Sequence, residues 1–362
     1  MSFRDHLFEA FPSPSSIVMP AAGIDISDSS IKCIFLRDTG FGSELKTFIE
    51  TSLNTGVVVG GDIENRAAVI EVLRSFRLRH GVRYASVALP ERKAYLYQTL
   101  VPTDNPNLQS GVEFDFEAHV PLPPGEALFD FEVVRKISNG TVVAVTAYAK
   151  RIVNEYVSIF KDAGIVLRSL EVESQAFARA VLSKQDFDKT VMLVDLGKKG
   201  TRVAIAENGI VSFTATLDIG GDMFTGALVK RFGISEAEAE ALKNEQGFVM
   251  TKENTEVVET LMITASVLKE EISKHVSYWA NASAEGIPRR PVEKILLAGG
   301  TANLSGFPEY LGGSFTVPVV VANVWTNAFS LNSYVPSVSF ADSLEYATAV
   351  GLAIRGIKKT SW

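Results

Sequence analysis

Val191-Met-Leu-Val-Asp-Leu-Gly-Lys-Lys-Gly-Thr-Arg-Val-Ala-Ile-Ala206 decides the fold. An apolar run ends in Asp195, and a glycine-bounded turn spans Gly197 to Gly200. A second run, with Val203 and Ile205 on one face, continues to the turn Glu207-Asn208-Gly209. The pattern predicts two β-strands joined by a tight loop, with an acid at the end of the first. Ala22-Gly-Ile-Asp-Ile-Ser-Asp-Ser-Ser-Ile-Lys-Cys-Ile-Phe-Leu36 repeats it: a strand, Asp25, a small polar turn and a strand that carries Lys32. Two copies in one chain predict a duplicated fold whose two turns face each other across a cleft.

A polar turn with backbone N–H groups pointing into a cleft is an anion cradle. A carboxylate beside it can hold magnesium through water. One such hairpin is equally well an ordinary surface turn; two at a domain-sized offset favour the cradle. Lys294-Ile-Leu-Leu-Ala-Gly-Gly-Thr-Ala-Asn-Leu-Ser-Gly-Phe307 adds a third element. A buried strand runs into Gly299-Gly300, where backbone can approach a flat ligand closely. With these three stretches the chain resembles the actin-like ATPase superfamily. That resemblance implies an α/β, two-lobe, ribonuclease H-like duplicated fold with a small inserted α+β subdomain.

The 362 residues exceed a single core, so at least two lobes are expected. Hydrophobic content of 46% and charge of 21% suit a soluble globular chain. No run of about 18 apolar residues predicts a membrane span, and the start reads as a frayed end, not a secretory signal. A net charge of −7 without a dense Lys/Arg cluster argues against nucleic acid as partner. The single Cys33 alternates with Ile31 and Phe35, which predicts a buried thiol. The four histidines show no metal-ligand spacing, and neither the P-loop nor the hydrolase elbow motif is present.

In chain order, residues 1–16 read as a flexible segment. Residues 17–90 with 149–187 form a first lobe, onto which a C-terminal helix within 337–362 packs back. Residues 91–148 are the insert. Residues 188–219 with 292–336 form the second lobe, and 220–291 a helical subdomain. Asp62 to Phe76 has helical apolar spacing with Asp62 as N-cap. Val112 to Val120 reads as a helix stopped by prolines. Ser235 with Glu238 forms a capping box, Glu253 to Trp279 a long helix with one apolar stripe, and Pro318 to Ala322 a buried strand.

The insert narrows the resemblance. Ala-Leu-Pro-Glu-Arg at 88–92, Glu117-Ala-His-Val-Pro-Leu-Pro123 and Phe129-Asp-Phe-Glu-Val133 are similar to the PilM family of type IV pilus assembly proteins. FtsA, the division protein, has an insert at the same place without that wording. The resemblance runs from about Ala21 to Gly356. It implies a cytoplasmic assembly factor, peripheral at the inner membrane face through partners, that binds ATP or ADP with Mg2+ between its lobes. The partner implied is the cytoplasmic tail of a PilN-like membrane protein, with self-association also open. By the same resemblance, Asp25 and Asp195 hold hydrated magnesium and Glu173 orients water. Ser27, Ser29, Ser30 and Lys32 make the first phosphate loop; Gly197, Lys198, Lys199, Gly200 and Thr201 make the second. Gly220, Gly221 and Asp222 lie at the ribose side. Glu240 and Lys243 face the adenosine, as do Gly299, Gly300, Thr301 and Asn303.

Bland readings stand beside these. Lys198 and Lys199 also suit a solvated turn tip, and Glu240 and Lys243 a solvated helix face. Phe114, Phe116 and Val120 line a peptide groove or form the insert's own core. The first loop departs from the family pattern in Ser27, where glycine is usual, and in Asp28, which adds negative charge. A left-handed Ser27 would cost about 1–2 kcal/mol. These departures predict nucleotide binding with slow or absent hydrolysis. A sugar or acetate kinase of the same superfamily is a second reading, but no acceptor site can be assigned. An FtsA-like division protein is a third, although Gly356 to Trp362 is short for a membrane helix.

Overall fold

The computed structural model describes residues 19–39, 43–105, 107–281 and 287–357. Segment 1–16, expected to be flexible, and the chain beyond 357 lie outside them. The strands β1 (Ala22–Ile26), β2 (Ser30–Asp38) and β3 (Ser43–Ser52) form an antiparallel meander. The small hairpin β4 (Val58–Val59) and β5 (Asp62–Ile63), then α1 (Arg66–His80), lead to β6 (Tyr84–Leu89), which pairs parallel with β1.

The insert follows as β7 (Tyr95–Pro102), α2 (Leu108–His119), β8 (Ala127–Ile137) and β9 (Gly140–Ala149), with sheet order β7-β9-β8. The chain returns through α3 (Lys150–Ala163) and β10 (Val166–Val172) and crosses over in α4 (Glu173–Val181). A second meander, β11 (Thr190–Leu196), β12 (Thr201–Glu207) and β13 (Ile210–Leu217), is followed by α5 (Gly221–Phe232), α6 (Glu236–Gln246) and α7 (Thr255–Asn281). Then come β14 (Lys294–Ala298), α8 (Phe307–Gly312), β15 (Val319–Val321), α9 (Phe340–Ser343) and α10 (Ala347–Ile357).

The two large sheets run β10-β6-β1-β2-β3 and β13-β12-β11-β14-β15. Counted within its own half, each has the order third, second, first, fourth, fifth, so the duplication read from two Asp-turn hairpins extends to the whole topology. Each first strand is buried along its entire length. Such a strand pays for desolvation by pairing on both sides, antiparallel on one and parallel on the other. Helices α4 and α10 pack against each other between the sheets. Contact there is so close that a Cβ on Gly351 would stand 1.7 Å from the Ala176 carbonyl oxygen. No helix among the described residues is long and apolar enough to cross a membrane.

Several local expectations need correction. Asp62 does not cap the first long helix; it sits in β5 and pairs with Lys93, while the Asn65 side chain accepts the Ala68 N–H at 3.1 Å. The helix therefore begins at Arg66. The insert helix starts earlier than expected, at Leu108, because Asn107 caps it. Strand β15 is an edge strand with Val320 exposed, not a buried one. Ser27 takes no left-handed conformation, since Asn208 is the one non-glycine residue with positive φ among those described. The Ser235–Glu238 capping box and the buried Cys33 are as read from the sequence.

Candidate functional site

Both hairpin turns open into one cavity of about 340 Å³ between the two large sheets. That size lies in the usual range for small-molecule sites. From the first hairpin it is lined by Asp25, Ser27, Ser29 and Lys32, and from the second by Asp195, Gly197, Lys198, Lys199 and Gly200. Gly299, Gly300 and Thr301 close one end, and Gly221, Glu240 and Lys243 the floor. Glu173, the first residue of α4, reaches the same space.

Four of the expected residues support the walls without lining the cavity. Ser30 is buried and donates its N–H to Ser27 Oγ at 3.1 Å. Thr201 is buried, with Oγ1 donating to the Ile219 carbonyl at 2.6 Å. Gly220 packs on the second turn, where a Cβ would stand 2.5 Å from Gly200 N and Lys198 O. Asp222 donates its N–H to Lys198 O at 2.9 Å while its side chain stays exposed. Asn303 turns elsewhere: its Nδ2 donates to Ala341 O at 2.7 Å.

The charges within the cleft are paired in a way the sequence reading missed. Antiparallel register sets Arg202 directly opposite Asp195, and Lys32 opposite Asp25. Opposed residues of a ladder project to the same face. Arg202 donates one nitrogen to Asp195 Oδ2 and another to Glu173 Oε1 at 2.7 Å. Glu173 Oε2 accepts the Glu91 N–H at 3.1 Å, and Glu91 in turn accepts from the Ser174 N–H and hydroxyl, each at 2.9 Å. Lys32 leans to Glu345 at 3.2 Å and to Glu50 at 3.7 Å. Arg202 was legible as a base near the start of the second strand, seven residues after the acid; Glu91 was not, because only packing buries it.

Burial dominates the titration of these acids. It pushes the Glu173 carboxyl up to about 8, with Arg202 opposing and Asp25 and Glu91 adding to the rise. It also raises Asp25 and Glu91 above the ordinary carboxylate range, against the pull of Arg202 on both. Although burial works against its charge, Glu173, Asp195 and Asp25 together hold the Arg202 guanidinium firmly protonated.

Asp28 does not add its charge to the cavity freely. Its carboxylate accepts the N–H groups of Gly60 and Gly61 at 2.8 and 3.2 Å, tying the first turn to the β4–β5 hairpin. Lys243 is buried, so the solvated-face reading fails for it. Its Nζ donates to Thr225 Oγ1 at 3.0 Å and to Glu240 Oε2 at 2.6 Å. Burial opposes the Glu240 charge, but these hydrogen bonds from Lys243 and Thr225 hold its carboxyl below the usual range.

The expected magnesium pair can be tested against this geometry. Asp195 has Oδ2 on Arg202, and Oδ1 lies against Gly299, 2.7 Å from where a Cβ would stand. Asp25 Oδ1 is buried without a hydrogen-bond partner. Asp25 and Asp195 thus do not offer a matched pair of free oxygens, and the arrangement does not fit a magnesium ion held jointly by them.

Duplicated sheets, paired Asp-turn hairpins and a glycine-rich closing turn around one cleft define an actin-like two-lobe protein. The chain belongs to the family of the type IV pilus assembly protein PilM, whose model matches residues 23–357. A structure of the PilM–PilN type IV pilus biogenesis complex aligns with a TM-score of 0.76 and 22% identity, covering 94% of this chain and 99% of that one. MreB5 of Spiroplasma citri bound to AMPPNP aligns with a TM-score of 0.54 and 11% identity, over 93% of this chain and 95% of that one. Among curated proteins, the cell division protein FtsA of Bacillus subtilis is 25% identical over 224 residues, 60% of this chain and 50% of its own length. FtsA of Streptococcus pneumoniae is 28% identical over 170 residues, 43% of this chain and 37% of its own. The chain spans half or less of the length of these curated relatives.

Proposed function

We propose that this chain is a nucleotide-binding assembly protein of the type IV pilus machine, working at the cytoplasmic face of the inner membrane through a PilN-like partner. The observation that carries the nucleotide reading is the convergence of both Asp-turn hairpins and the Gly299-Gly300 turn on one cavity. Exposed Lys198 and Lys199 and the turn N–H groups suit phosphates. Gly299, at φ 86°, turns the chain at the end of β14 and packs directly on Leu196 and Asp195, which sets the Gly300-Thr301 end of the cavity beside the second hairpin. ATP or ADP is the ligand of this reading. Turnover is slow, because Glu173, the acid expected to orient water, is engaged by Arg202 and by the Glu91 N–H. The domain boundaries given from the sequence serve as the working division of the chain.

The partner reading rests on the insert. Its sheet order leaves β8 at an edge, with Leu128 and Val133 exposed, and Phe114 on α2 is 93% exposed. Phe116 and Val120 are buried in the insert's own core, so they do not line a groove. An extended tail can add to such an edge by main-chain hydrogen bonds, with an exposed aromatic as anchor.

Thermal unfolding with millimolar ATP or ADP tests the first reading: the melting temperature rises. No shift, with no nucleotide co-purifying, refutes it. Excision of 95–147, which spares Glu91 and Arg92 at the cleft, abolishes binding of a PilN-like tail peptide while the nucleotide shift persists. Full peptide affinity after excision places the partner elsewhere.

A further inference from the structure

The chain carries, at equivalent places in its two halves, an acid at the end of a first strand and a base seven residues on. These are Asp25 with Lys32 and Asp195 with Arg202, and the ladder sets each pair face to face. In the second half the base is a guanidinium fastened by two acid side chains from different elements, Asp195 on β11 and Glu173 on α4. Its side chain keeps 26% of its surface accessible, and that surface lines the cleft. A guanidinium has five N–H donors in a fixed fork; after these two contacts, others remain for an oxyanion. A cation fixed in this way carries its charge to the site without any ion having to be recruited from solution.

We propose that Arg202, positioned by Glu173 and Asp195, is the built-in phosphate-binding cation of this cleft, so that nucleotide binds here without requiring a divalent metal. The inference rests on the nucleotide reading above and deepens it. Asp195 and Glu173 are then positioning residues for a side chain, not holders of hydrated metal. Lys198 and Lys199 at the mouth add exposed positive charge toward the same phosphates. Arginine suits the task because its fork meets two phosphate oxygens at once, whereas lysine acts as a point charge.

Two measurements on the full chain test this. In the first, ATP is titrated by calorimetry in excess Mg2+ and in EDTA. The dissociation constants agree within about threefold, and Arg202→Met weakens binding at least about tenfold in both buffers. Binding that is lost or falls more than about tenfold in EDTA overturns the proposal and leaves the nucleotide reading intact. Absence of binding in both buffers overturns both. The wild-type comparison needs no variant, so it holds even if Arg202→Met fails to fold. In the second, Mn2+ is titrated against nucleotide-free protein and followed by electron paramagnetic resonance. Wild type takes up no tight Mn2+, whereas Arg202→Gln, with Glu173 and Asp195 released, does. Tight Mn2+ uptake by wild type that Asp195→Asn removes overturns the proposal, whatever the nucleotide result.

Discussion

Glu173 shows how one residue's chemistry is set by neighbours distant in sequence. One carboxylate oxygen faces Arg202, the other accepts the Glu91 N–H, and only 5% of the residue is exposed. Burial raises the carboxyl from the ordinary 4.5 to about 8. The folded chain therefore holds a proton there that the unfolded chain releases. The stability this group contributes is present below 4.5 and is lost as pH rises toward about 8. Glu173→Gln removes the titration. The unfolding free energy of wild type minus variant, from urea melts, falls as pH rises through that window; a difference that is flat with pH refutes the assignment. Cys33 illustrates the simpler case, in which burial alone pushes a thiol up to about 12.

The decisive elements are the two hairpins and the helix pair between the sheets. A turn of four residues, 197–200, forces Leu196 opposite Thr201 and hence Asp195 opposite Arg202. Register of this kind follows from loop length and from which face is buried. Helix α10 reaches its place because small residues let backbone meet backbone. Gly351→Ala places a methyl 1.7 Å from Ala176 O, a clash with main chain that no rotamer relieves. The expected loss is about 2–3 kcal/mol in urea unfolding, at the upper end of the range for overpacking. A loss under about 0.5 kcal/mol shows that α4 and α10 separate readily, against the packing described. The caps carry the opposite lesson. Ser235 and Glu238 cap each other as their spacing implies, whereas Asp62 was recruited by Lys93, leaving Asn65 to begin α1.

At the scale of the molecule, β12 links the cleft to the insert. Arg202 lies near its start, and Glu207 at its end is 1% exposed. Glu207 accepts from Arg135 at 2.8 Å and from Gln98 at 3.0 Å, both residues of the insert. Asn208, in the following turn, donates to Val134 O at 2.7 Å. The insert is thereby bolted to the second large sheet as well as joined covalently to the first. Glu207→Ala leaves the Arg135 guanidinium, also largely buried, without its anion; removing one partner of a buried pair costs about 3–5 kcal/mol. Limited proteolysis then cuts within 91–148 before the rest of the chain. An unchanged cleavage pattern together with unchanged stability refutes the clamp.

The sequence by itself determined what short-range physics controls. Alternation of apolar residues, an acid before a glycine-bounded turn and small residues at close contacts are local signals, and they specified two matching hairpins and the actin-like fold. Hairpin register was equally local, so the pairing of Asp195 with Arg202 could have been read from the turn length. The tertiary structure decided the rest. Only the packing of α4 beside β12 brings Glu173 to Arg202, and only the β4–β5 hairpin draws Asp28 toward Gly60 and Gly61. Only the closed insert separates buried Phe116 from exposed Phe114 on one helix. Backbone periodicity repeats every few residues and is visible in a string of letters. The partner of a buried charge is selected by desolvation, which depends on which distant segments exclude water together.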